Sequence, residues 1–334
     1  MLNFKLPSTE HLNILQKILQ SFNGLHYRQE YLCLSKENFE NPLHAYLVAG
    51  NRIITDISNI HCFVGYSPLV FAIPGSALWN LPTENIQIKL TQKIFNPNDE
   101  IPGRDALASL SLKKINEQQT EIDRVIYYEA VRGKQRFINS AHQSVIQLYN
   151  RLYHKKPGNV FLAGNLYKQV QIAYALPRII SLITVESGNQ FNLFPTDLHG
   201  PIGGHYIVSL RHQGKACEQV MVTKKILLTQ VESGFYKTVY SLGKNHMQPL
   251  RSKESFPFSR DSSIKLNLPI PEESLLHREL ELIDSFIHGI HQIMLFRVLS
   301  LESLKNNPST LAHIHNLYAT WRYKTGLPGN YLLR

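Results

Sequence analysis

Apolar residues in this chain fall in short runs broken by Asn, Gly and Pro, the pattern of strands separated by tight turns. In the first third the runs are "EYLCLS", "HAYLVAG", "NRIITDI" and "PLVFAI". They return later as "YALPRIISLITVES", "QFNLFPT", "HYIVSLR", "KILLTQV" and "IHQIMLFRVLSLE". Three stretches carry helical spacing instead. Residues 8–22 put Leu12, Leu15, Leu19 and Phe22 on one face behind a Ser8 or Thr9 cap. From Arg104 to Lys156 the spacing is mostly helical, with one stripe of Ala106, Leu107, Leu110 and Ile115. A second stripe holds Ala141, Val145, Leu148, Tyr149 and Leu152, and Gly133 lies between the two. A last helix is expected after "NNPS", through Leu311, Ile314, Tyr318 and Trp321, stopping near Gly326. The pattern predicts a mainly β protein with appended helices (α+β), a barrel or closed sheet rather than a doubly wound fold.

The clearest break is "KKPGN" at 155–159, which predicts an α+β module over 1–155 and a second module over 156–334 that includes the last helix. The stretch from Gly50, "GNRIITDISNIHCFVGYSPLVFAI", can be laid without a gap on "GNQFNLFPTDLHGPIGGHYIVSLR" from Gly188. Gly50–Asn51 then meets Gly188–Asn189, His61 meets His199, Gly65 meets Gly203 and Val70 meets Val208. Gly-Asn is an ordinary hairpin turn, so this is either a coincidence of two hairpins or a duplication in which only one copy need keep a ligand site.

The middle of "FNLFPTDLHGPIGGHYIVSL" at 191–210 is the exception to the pattern. Turn formers and hydrogen-bonding side chains crowd between two apolar ends, as in a backbone shaped to hold something polar. The formal charge is +10, carried by scattered pairs such as Lys113–Lys114, Lys155–Lys156 and Lys224–Lys225. Dispersed cations suit a phosphate-bearing small molecule at least as well as a nucleic acid, which ranks as the less favoured partner. No G-x-G-x-x-G or P-loop pattern follows a strand, and no G-x-S-x-G elbow is present. Three dispersed cysteines suggest neither disulfides nor zinc. No run approaches the roughly 20 apolar residues of a bilayer span. The first residues lack a signal peptide's basic start and apolar core, so a cytoplasmic protein with no membrane partner is the expectation.

Residues 160–300 resemble the FMN-binding split-barrel family of flavin reductases. Three pieces carry the resemblance: "ALPRIISLITVESGNQFNLFPTDL" as the opening hairpin, "HYIVSLRHQGKACEQVMVTKKILLTQV" as the next strand and its sequel, and "ELELIDSFIHGIHQIMLFRVLSLE" as the late hairpin. Here "FPTDLHGP" stands in place of the family's small Ser/Thr-rich loop, and Ile290 stands where its Asp precedes the His. The resemblance implies an FMN-binding split β-barrel built of one or two related β modules. It implies a homodimer that completes the pocket, and hydride transfer from NAD(P)H to flavin.

Within that frame Thr196, Ser209, Arg211 and Lys215 are the candidates for the phosphate. Pro195 would fix the loop, Asn192 or Asp197 would reach polar edges of the ligand, and His291 would lie beside the ring as the candidate catalytic residue. Each has a plainer reading: Thr196–Asp197 as a turn or cap pair, Arg211 and Lys215 as solvated cations, and His291 as an ordinary strand residue. His288 and His291 have a helical metal spacing but sit in a strand turn, and His313 and His315 fall on different faces of the expected last helix, so no metal site is expected. A flavin binder without enzymatic activity is the alternative function, and a basic nucleic-acid-binding β protein a weaker one.

Overall fold

One Gly-Asn pair in each half of the molecule, Gly50–Asn51 and Gly188–Asn189, turns a strand back on itself. The computed structural model describes residues 30–35, 42–78, 85–153, 162–304, 310–327 and 331–332. The expected helix at 8–22 and the expected boundary at 155–159 lie outside these residues. After β1 (Tyr31–Ser35) the chain builds β2 (His44–Ala49), β3 (Arg52–Asp56), β4 (Cys62–Tyr66) and β5 (Leu69–Pro74). It continues with β6 (Ile86–Thr91), β7 (Ala108–Gln119) and β8 (Arg124–Gln135). These seven strands from β2 onward form one antiparallel sheet in the order β3-β2-β6-β7-β8-β5-β4. Helices α1 (Ser140–Tyr153) and α2 (Leu166–Ala173) and the short β9 (Arg178–Ile179) lead to the second half.

There the chain forms β10 (Ser181–Ser187), β11 (Gln190–Thr196), β12 (His199–Ile202) and β13 (His205–Arg211), then α3 (Lys215–Thr223) and β14 (Lys225–Val231). After α4 (Tyr236–Ser241) come the paired β15 (Phe258–Ser262) and β16 (Pro269–Pro271), and the long hairpin β17 (Ser274–His288) and β18 (His291–Ser303). The second sheet runs β11-β10-β14-β17-β18-β13-β12. Strand for strand this is the first sheet again: two hairpins, a lone strand and a long hairpin, laid side by side in the same order. Buried residues of β11 and β13, near opposite edges, meet in one cluster through Phe194, Tyr206 and Val208, so the sheet curls around its own core.

The ungapped alignment holds for the first hairpin and slips in the second. Ala49 pairs with Arg52 and Ser187 with Gln190, and Gly50 and Gly188 both take positive φ, 59° and 60°, which glycine adopts without a Cβ penalty. The second hairpin turns at Ser67–Pro68 in one half and at Gly203–Gly204 in the other. The alignment had put 65–66 opposite 203–204, so Gly65, inside β4, does not correspond to Gly203, in a turn. By inward face, Phe71 rather than Val70 matches Val208.

Two helical expectations fail for one physical reason. Residues 108–135, expected to be helical, form the β7–β8 hairpin, with Ala108, Leu110 and Leu112 buried at every second position. Ala106 and Leu110, four apart, fit both periods, and pairing across the sheet decides between them. Among the described residues of that stretch only α1 is helical. It buries Gln143 and Ile146, while Leu148 and Leu152 of the expected stripe are 59% and 74% exposed. The last helix, α5 (Asn316–Lys324), likewise starts late. Leu311 and Ile314 lie in β19 (Leu311–His315), which pairs with β1 and β9 and puts His313 and His315 on one face of a strand. With β20 (Tyr331–Leu332) these give a four-stranded sheet that joins the two ends of the described chain.

Packing crosses the expected division at 155/156. The first module's core takes in Val170, Ile172 and Leu176 around α2, Ile314 of β19 and Leu317, Tyr318 and Trp321 of α5. A separate cluster joins the two sheets face to face: Cys62, Val64, Val70, Ala72, Val125 and Tyr127 from the first against Ile202, Ile207, Ile293 and Leu295 from the second.

Candidate functional site

A cavity of about 540 Å³ opens at one end of the second sheet. Its wall is made by the ends of β11 and β13, the loop into α3, residues 243–247 and the β17–β18 turn. Pro195, Thr196, Asp197, Ser209, Arg211 and His291 all line it. They do not meet through a β11–β13 hairpin, because those strands stand near opposite edges of the sheet. The curl of the sheet brings them together, and the Ser209 N–H donates to Leu198 O at 2.8 Å.

Asn192 and Lys215 lie elsewhere. Asn192 is fully buried and donates from Nδ2 to Gln219 Oε1 at 2.7 Å and to Asn245 O at 3.1 Å, tying α3 and the 242–247 segment to β11. Lys215 opens α3 with its ammonium 3.1 Å from Glu218, both side chains more than half exposed, an arrangement of little energetic weight.

His291 is the first residue of β18 and sits opposite Arg211 in the β13–β18 register. Its Nδ1 is 3.2 Å from Ser209 Oγ, and its Nε2 is buried without a hydrogen-bond partner. Burial, with the Arg211 charge adding to it, pushes the imidazole pKa down to about 4. The ring is therefore neutral between pH 5 and 8, the range in which an unperturbed imidazole titrates. His246 donates from Nε2 to Pro195 O at 2.7 Å, and burial again lowers its pKa. The Cys217 thiol, also in the wall, is pushed up to about 11 by burial and stays protonated.

The residue that sequence reasoning missed most plainly is Tyr66, because it comes from the other module. Arg211 Nε donates to the Tyr66 hydroxyl at 2.6 Å, Nη2 donates to the same oxygen, and the Tyr66 ring meets His291 edge-on at 4.7 Å. The approach is fixed by backbone: Ile290 N–H donates to Ser67 O at 3.1 Å, and a Cβ on Gly289 would overlap Ser67 O and Pro68 Cδ. Gly289 also holds φ at 57°. His246 and Met247 were missed too, since "GKNHM" carries no pattern tied to a ligand.

At the start of α3, Gly214 is extended and no side chain caps the first turn, and this end of the helix lies in the cavity wall beside Arg211. Uncapped N–H groups and a guanidinium together favour an anion. No cluster of three metal-ligating side chains occurs among the described residues, and no described helix is long and apolar enough to cross a membrane.

No family model matches the chain, and none of the curated proteins does. Solved structures similar to it include FMN-binding proteins and flavin reductases. An FMN-binding protein from Thermus thermophilus with bound p-hydroxybenzaldehyde is 18% identical over 40% of this chain and 77% of its own, with a TM-score of 0.36. The NADH:FAD oxidoreductase of Streptomyces globisporus is 12% identical over 43% of this chain and 86% of its own, at 0.38. The flavin reductase of styrene monooxygenase from Pseudomonas putida S12 is 15% identical over 42% and 90%, at 0.36. Each covers less than half of this chain.

Proposed function

We propose that the second module is a split barrel that binds FMN in this cavity and serves as a flavin reductase-like oxidoreductase using NAD(P)H. One observation carries the reading. Where the second module places Ser209, Arg211 and His291, the matching face of the first holds Ala72, Pro74 and Val125, in the same pairings and buried. Polar groups concentrated in one of two like frameworks, with a buried imidazole nitrogen left unpaired, favour a ligand site over a structural one.

The donor set suits FMN. Arg211, the Thr196 and Ser209 hydroxyls and the α3 N–H groups would hold the phosphate and ribityl oxygens, and the cavity is within the usual size of cofactor pockets, about 300–1,000 Å³. Bound flavin supplies the hydride-accepting chemistry, and the protein positions it. The residues that line the site do the rest. Tyr66 holds Arg211 by two hydrogen bonds, and neutral His291 keeps an unpaired nitrogen for the ligand. Because Tyr66 comes from the first module, one chain supplies both sides of the pocket, and the homodimer implied by the resemblance is not needed to complete it. Flavin binding without turnover is the second reading. It is favoured by the states of the two groups that would stand nearest the ligand ring: His291 is neutral and Asp197 is held ionised, so neither offers an acidic proton at neutral pH.

Titration of the purified chain with FMN, followed by quenching of flavin fluorescence, tests the binding; a flat titration rejects it. Consumption of NADH or NADPH with added FMN separates reductase from binder.

A further inference from the structure

Asp197 follows β11 and lines the cavity, and its carboxylate is held from one side only. Its Oδ2 accepts the Tyr174 hydroxyl at 3.1 Å and the His313 Nδ1–H at 2.8 Å. The other ring nitrogen, His313 Nε2, lies 2.7 Å from the Tyr240 hydroxyl, and the two rings stack with centroids 5.7 Å apart. With Nδ1 donating to the carboxylate, Nε2 is left to the Tyr240 hydroxyl. The result is a carboxylate–imidazole–phenol chain assembled from the end of β11, β19 and α4, with Tyr174 from the turn after α2 as a second donor to the carboxylate.

Burial alone would favour the neutral acid, but the hydrogen bond and proximity of His313, with the Tyr174 hydroxyl, more than offset it and hold the Asp197 pKa below its usual value. Oδ1 has no hydrogen-bond partner among the described residues, although the side chain is only 20% exposed. A carboxylate oriented through one oxygen presents the other as a fixed acceptor. The same cavity wall holds features of the opposite sign, the Arg211 guanidinium and the uncapped start of α3.

We propose that Asp197 Oδ1 receives a ring N–H of the bound ligand, with His313, Tyr240 and Tyr174 as the residues that position it. The proposal rests on the flavin reading above. There the donor would be the imide N3–H of the isoalloxazine, with Arg211 left to hold the phosphate.

The test compares FMN with 3-methyl-FMN, in which a methyl replaces the imide proton. Wild-type protein should prefer FMN by about tenfold or more, the worth of a hydrogen bond to a charged group. Asp197→Ala should bring that preference close to unity. His313→Leu should reduce it, and His313→Asn, whose side-chain N–H replaces the Nδ1 donor, should retain it, which a merely structural histidine would not predict. The wild-type comparison stands even where a variant fails to fold. Equal wild-type affinity for both ligands, or an undiminished preference in Asp197→Ala, overturns the proposal and leaves the flavin reading intact. A full preference in His313→Leu removes the positioning role. No wild-type affinity for FMN overturns the flavin reading and the proposal with it.

Discussion

The two seven-stranded sheets share an order of strands and almost nothing of their chemistry. At corresponding positions the first has Ala72, Pro74 and Val125 and the second has Ser209, Arg211 and His291. The first buries these positions, and its β4–β5 hairpin reaches across to place Tyr66 on Arg211 and His291 of the second sheet. The difference teaches that a framework and a site are separable. Hairpin turns, sheet order and buried faces persist where the polar groups do not, and the first sheet contributes Tyr66 to the wall of the cavity in the second.

The comparison breaks first if the halves are separated. A 160–334 fragment would carry α2, β19 and α5 without the first sheet, exposing Val170, Ile314, Leu317 and Trp321, all now buried in the first module's core. We expect the fragment to be insoluble or molten, with lost near-ultraviolet circular dichroism. A cooperatively unfolding fragment that binds FMN would show the second module to be self-sufficient.

The docking of the two turns comes next. Gly289→Ala puts a Cβ into Ser67 O and Pro68 Cδ and an L side chain at positive φ. The expected cost is about 2–5 kcal/mol, from overpacking and left-handed strain together. Chemical denaturation measures it, and a loss under about 1 kcal/mol would mean that the β4–β5 turn moves aside freely. Tyr66→Phe keeps the edge-on ring contact with His291 and removes the oxygen that holds Arg211, so it should spare stability and weaken FMN more than riboflavin.

Much of the framework was legible in the sequence because its signals are local. Gly50 and Gly188 mark hairpins, and the alternation in "HYIVSLR" and "KILLTQV" marks half-buried strands. The 108–135 hairpin was not legible, since its apolar spacing suits a helix until β6 and β5 are in place to pair with it. Most of the second module's cavity residues could be found because turn formers and polar side chains stand out between apolar ends. Tyr66, some 145 residues from Arg211, could not, because nothing local in "FVGYSPLV" points to a partner in another sheet. Asn192 looked like a ligand group for the same reason that it is a good buried brace: an amide can satisfy three segments at once.

Charge recognition sharpens the comparison further. Arg211→Ala should weaken FMN by about 1.5–3 kcal/mol, roughly 10- to 150-fold, and leave riboflavin nearly unchanged, since riboflavin lacks the phosphate. Lys215→Ala, whose ammonium faces Glu218 on the surface, should alter neither. Equal losses for both ligands at Arg211 would remove phosphate from its role.

The smallest effect separates His291 as a buried group from His291 as a titrating one. Its pKa is about 4 in the folded chain and near 6.5 when unfolded. Between those values the unfolded state binds a proton that the native ring refuses, so stability falls as pH drops below 6.5 and levels off below 4. The share of this one residue is about 1 kcal/mol at pH 5.5. His61 and His199, also lowered to about 4 by burial, add losses of the same sign in the same window. His291→Gln keeps a donor and an acceptor and removes the titration. Urea midpoints at pH 7.5 and 5.5 should lie closer together in the variant than in wild type by about that amount, and identical gaps would place the imidazole in contact with water. Over pH 5–8 the neutral ring predicts one more result. His291→Gln should slow reduction of bound flavin by nicotinamide without changing the shape of the pH profile, because in neither protein does this position gain or lose a proton there.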